Sequence, residues 1–76
     1  MSLPMIGTKR GQVLSVNEVR IHEQTLLIIH YTLEADGPQA VYEGRLGPEA
    51  TYPGIAGGDT VDITFAMRIP TRIHKV

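Results

Sequence analysis

Cysteine is absent from the 76 residues, which excludes a disulfide scaffold, every thiolate metal site and a thiol nucleophile together. A chain without disulfides suits a reducing compartment, and a cytoplasmic location is the expectation. An excess of either charge is missing too. Seven Lys and Arg face eight Asp and Glu for a net charge of −1, so no global positive field drives strong nonspecific binding to nucleic acid. Nowhere does the chain hold the roughly 18–20 apolar residues that cross a bilayer, and its start lacks the apolar centre of a secretory signal. Alanine is scarce at five. No window of about eleven residues carries an apolar i, i+3, i+4, i+7 stripe free of Gly and Pro, so no long helix is expected. At this length one small core forms, without the two lobes that frame an enzyme cleft.

What is abundant is β-branched. Isoleucine and valine supply 14 residues and threonine another 7, which favours strands. A first strand opens after Gly11 with Val13, Leu14 and Val16; its alternation slips before Val19 and Ile21, and a bulge near Asn17 would return both to the inward face. His22-Glu23-Gln24 reads as a turn. Thr25 to Leu33 is apolar on both parities at first, the pattern of a central strand covered on both sides. Asp36-Gly37-Pro38 ends it. Along Gln39–Leu46, Ala40, Tyr42, Gly44 and Leu46 alternate with Val41, Glu43 and Arg45, and Gly44 marks a bend or close backbone approach. The Gly47–Gly58 connection holds one helical turn at Pro48-Glu49-Ala50 and one apolar anchor, Ile55. Gly57-Gly58-Asp59 turns into Thr60–Met67, with Val61, Ile63, Phe65 and Met67 inward. Pro70 forces a loop or an edge before a last strand, Arg72–Val76.

Five strands in this length predict an all-β, largely antiparallel, partly open barrel of OB or SH3-like type over Gly11–Val76, with Met1–Arg10 as a leader or disordered N-terminus. Such a domain buries only roughly 60% of its unfolded surface, so a homo-oligomer or an attached neighbour is expected.

Little in this pattern carries chemistry. His22 and His30 would lie about 27 Å apart on one unbroken strand and His74 stands alone, so no metal site is read. The serines are Ser2 and Ser15, and no triad is visible around either. The pairs Glu34/Asp36 and Asp59/Asp62 flank turns, and the chain reads as noncatalytic. The Gly57-Gly58-Asp59 turn leads into a strand rather than the helix a phosphate cradle requires. Arg68, Arg72, His74 and Lys75 crowd the C-terminus and, with Lys9 and Arg10, form a basic patch that would serve as a partner or ligand surface. Tyr31, Tyr42 and Tyr52 are the stacking candidates for a single strand of nucleic acid, but Tyr31 and Tyr42 fall on inward faces.

Gly11-Gln12-Val13 with Val16, the run Gly58-Asp59-Thr60-Val61-Asp62-Ile63-Thr64-Phe65, and Arg72-Ile73-His74 together resemble the TOBE domain. This is the transport-associated OB-fold module at the C-terminus of ATP-binding subunits of ABC importers. The stretches Gly47–Gly58 and Met67–Thr71 depart from that family's pattern. The resemblance implies a noncatalytic regulatory module attached to a parent ATPase subunit, in contact with a membrane only through the transporter. ATP would bind elsewhere. Molybdate-binding members hold an oxyanion through backbone amides and Ser, Thr or Lys side chains. These have no counterpart here, so no cofactor or ligand residue is assigned, although a small ligand is compatible. The alternatives are a free-standing OB-like binder of single-stranded nucleic acid or oligosaccharide, and a small oligomeric scaffold.

Overall fold

One long strand organises the molecule. In the computed structural model, which describes residues 6–76, β1 (Ile6–Ile21) serves two partners in succession. Its first part, Ile6 to Gln12, pairs antiparallel with β4 (Thr60–Ala66). From Gly11 to Ile21 it pairs antiparallel with β2 (Gln24–Leu33). Beyond β2 lies β3 (Val41–Leu46), and beyond β4 lies β5 (Ile69–Lys75). The order β3-β2-β1-β4-β5 contains the Greek-key arrangement, in which the fourth strand returns beside the first, extended by one strand. That is the all-β, antiparallel class expected, and the sheet curls without closing into a barrel. Short 3₁₀ turns occupy Glu34–Asp36 and Pro48–Ala50.

The N-terminal boundary differs from the expectation. Strand β1 starts at Ile6 rather than after Gly11, because Ile6 to Arg10 find ladder partners in Ala66 to Asp62, and those partners are distant in sequence. The leader assigned to Met1–Arg10 is thus shortened, and its first five residues lie outside the described part.

The bulge also sits elsewhere. It falls at Leu14, between the pairs Val13↔Tyr31 and Ser15↔His30, and not at Asn17. Strand parity locates a slip only within a window, whereas tertiary contact pins it. Val13 donates to the Asp59 carbonyl (2.9 Å) and accepts from the Gly58 amide (2.8 Å), and a Cβ on Gly57 would lie 2.5 Å from the Leu14 carbonyl oxygen. The 57–59 turn therefore clasps β1 at the bulge. As a consequence Val16 returns inward opposite Ile29, while Val19 pairs with Leu26 on the outer face and Ile21 follows it there.

The core lies inside the curl: Val13, Leu27, Ile29, Tyr31, Leu33, Leu46, Val61, Ile63 and Ile73 are buried, with Val16, Ala50, Tyr52, Ile55 and Phe65 packed against them. Met67, expected inward, is 67% exposed in the β4–β5 turn. That turn places Met67 and Arg68 at φ 52° and 71°, and the β1–β2 turn places His22 and Glu23 at 51° and 67°. Two left-handed residues in a two-residue hairpin match the right-handed twist of the flanking strands, although neither turn has the Asn-Gly chemistry this geometry favours.

The edges of the sheet meet at Gly44. A Cβ there would come 3.1 Å from Pro70 Cγ and 3.3 Å from Tyr31 Cε1, so the missing side chain lets β5 lean across β3. No hydrogen-bond ladder joins them. Pro70 offers no amide to such a ladder, and the register shift beside it is bridged by the Thr71 hydroxyl donating to the Thr64 carbonyl (3.1 Å).

Candidate interaction surfaces

The six basic residues do not form one surface. Arg10, Asp62 and His74 make one cross-strand row, and Thr8, Thr64 and Arg72 make the next. Arg10, His74 and Arg72 therefore share the outer face of β1, β4 and β5. Lys9 stands in register with Ile63 and Lys75 with Val61, which puts both on the opposite side of the sheet. Arg68 is in the turn. Within the outer row, Arg10 is already engaged: its Nε donates to Asp62 Oδ1 at 2.9 Å and its Nη2 to Oδ2 at 3.4 Å. The Lys9 ammonium lies 5.9 Å from the Phe65 ring centroid, a cation–π placement.

The aromatic residues are committed as well. Tyr31 is buried and stacks on Tyr42 with centroids 5.7 Å apart, with Phe65 at 6.4 Å on its other contact. The Tyr42 hydroxyl donates to Asp36 at 2.7 Å. Tyr52 donates to Asp59 Oδ2 at 2.6 Å, and the Ala56 amide donates to the same oxygen at 3.2 Å. Burial, reinforced by that bond, raises the Tyr52 hydroxyl well above the ordinary tyrosine value, so it stays a donor throughout the physiological range.

Two carboxylates are held below their usual range. For Asp59 the main cause is the Tyr52 hydrogen bond, followed by the Ala56 amide; for Asp62 it is the Arg10 hydrogen bond. A depressed carboxyl contributes stability that is present above its unfolded pKa and is lost as pH falls through the folded value. The urea midpoint should therefore drop as the solution is acidified below about pH 4, and Asp59→Asn combined with Asp62→Asn should flatten that dependence. A wild-type midpoint unchanged between about pH 5 and pH 3 would contradict these two contacts.

A third arrangement was invisible in the sequence. The register aligns Ser15, His30 and Glu43 in one row across β1, β2 and β3. Ser15 Oγ is 3.2 Å from His30 Nδ1, His30 Nε2 is 3.2 Å from Glu43 Oε1, and Arg45 Nε donates to Glu43 Oε2 at 3.4 Å. These residues are 15 and 13 apart in the chain, and the row exists only because the bulge is at Leu14. The chain of contacts orients the imidazole across the sheet face. Serine as a nucleophile would also need donors for an oxyanion and a cavity for the acyl group, and the row stands on the open outer face.

Beside this row the same face turns apolar. Val19, Leu26 and Ile28 are half-buried there and Ile21 is 51% exposed. The outer surface is thus divided: polar and charged over β4 and β5, aliphatic over the far part of β1 and β2. Among the described residues no three His, Asp or Glu side chains gather as a metal site, and no helix is long and apolar enough to cross a membrane. No protein-family model, curated protein or solved structure matches the chain.

Proposed function

We propose that this domain is a noncatalytic interaction module, attached in the manner of a TOBE domain to a larger cytoplasmic ATP-binding subunit, and that it docks through the aliphatic outer face of β1 and β2. The observation that carries this reading is the apolar run of β2 on both parities. Leu27 and Ile29 go into the core, whereas Leu26 and Ile28 go outward with Val19 and Ile21 and meet no covering element among the described residues. An aliphatic strip bordered by polar residues offers a small docking contact.

The size of the strip favours a tethered neighbour over a free homo-oligomer. Two strands about 4.8 Å apart and about five residues long project roughly 160 Å², well short of the roughly 800 Å² per partner of a stable complex. A neighbour held on the same polypeptide or in the same assembly faces it at an effective concentration of order millimolar, which compensates for a small contact. Binding of single strands is poorly supported, because the tyrosines are stacked or hydrogen-bonded internally and Arg10 is paired.

The test is a photoreactive residue at Ile28 in the native host. Crosslinking to a domain that carries a P-loop is expected. A crosslinked partner without one would overturn the transporter reading, and salt-dependent retention of a short single strand would replace it with the nucleic-acid alternative.

A further inference from the structure

The opposite side of the β1–β2 arm carries a separate feature. Between its inner face and the loop after the second 3₁₀ turn lies a cleft of about 440 Å³, walled by Val16 and Leu27 from the strands and by Tyr52, Pro53 and Ile55 from the loop. This volume falls within the range of small-molecule sites. The wall is preorganised. Tyr52 is anchored by its 2.6 Å bond to Asp59, and the loop is pinned through the same carboxylate by the Ala56 amide, so little ordering remains to be done on binding.

One carboxylate lines this cleft, and it stands at the exposed rim of the inner face. Glu18 is in register with Leu27 on the inner face, two residues beyond Val16. Among the described residues it takes part in no ion pair. A carboxylate without a cation, at the border of an apolar cleft that also presents a tyrosine, is complementary to a ligand with an apolar body and an ammonium head: the walls take the body, while Glu18 and the aromatic ring attract the charge.

We propose that this cleft binds a small apolar ammonium compound, with Glu18 as the residue that selects for positive charge. The site lies on the opposite side of the same strands from the aliphatic strip, so it does not require that face to dock to an ATPase subunit.

The probe is phenethylammonium, titrated into ¹⁵N-labelled protein, with phenylacetate as the anion of similar shape. Amide shifts confined to Val16, Glu18, Leu27, Thr51, Tyr52, Gly54 and Ile55 are expected for the amine and not for the acid. Glu18→Gln, at an exposed position outside the core, should retain the wild-type spectrum and weaken the amine about tenfold. Ile55→Ser should weaken both the amine and any residual neutral binding, separating the apolar contribution from the charge. Equal affinity of wild type and Glu18→Gln, equal binding of the acid, shifts centred elsewhere, or no shifts at millimolar amine would each overturn the proposal.

Discussion

Replacing Gly11 with alanine should cost about 3 kcal/mol or more, a large share of the roughly 4–11 kcal/mol that a domain of this size has in total. Gly11 is buried at the point where β1 changes partners, in register with Leu33 on one side and Val61 on the other. A Cβ there would overlap the Thr32 carbonyl oxygen and approach Leu33 Cδ2 to 3.3 Å. Backbone in the middle of a ladder cannot yield as the tip of a side chain can, so the strands must part or the core must shift. The control is Gly7→Ala on the same strand, where an added methyl meets nothing within 4 Å. That change should leave stability within about 0.5 kcal/mol or raise it slightly, through the lower entropy of the unfolded chain. Urea unfolding of the two variants makes the comparison. A Gly11→Ala protein as stable as Gly7→Ala would mean that β1 does not run unbroken between its two partners.

The same residue shows what a single sequence yields. Gly11-Gln12-Val13 reads as a strand opening because glycine punctuates and valine favours extended backbone. That glycine is in fact a mid-strand close approach, and the five residues before it pair with β4. The fourth strand was legible except at its end: Val61, Ile63 and Phe65 alternate strictly after Gly58 and point inward, whereas Met67, expected to continue the series, lies exposed in the turn. Parity had more to offer at the C-terminus. Arg72 and His74 alternate with Ile73 and Lys75, so period two alone separates Lys75 from the two outer-face residues, and treating the four basic residues as one patch overlooked it. Other features were beyond reach. Pairing of Arg10 with Asp62, and the row of Ser15, His30 and Glu43, depend on register across strands, and the register of β1 depends on a bulge that the 57–59 turn clasps from a distance.

Adjacent isoleucines on β2 should respond very differently to truncation. Ile29 has no exposed surface and sits in the core opposite Val16 and Gly44, so Ile29→Ala should cost about 3–4 kcal/mol, the transfer of the lost methyls plus an unfilled cavity. Ile28 lies on the outer face beside Asn17 and Arg45, half-buried by neighbours but covered by no element among the described residues. Removing it exposes less new apolar surface to loss and leaves no enclosed void, so Ile28→Ala should cost about 1 kcal/mol or less in the isolated domain. Thermal or urea unfolding gives the ratio directly. Equal costs would show that something buries Ile28 in solution, and a concentration-dependent midpoint would then identify a second copy as the cover. An unequal ratio with a concentration-independent midpoint leaves the strip open in the free domain. In that case Leu26→Lys, on the same outer face as the photoreactive residue at position 28, should abolish crosslinking to the proposed neighbour while the fold persists, because the lysine adds charge to the contact surface without disturbing the core beneath it.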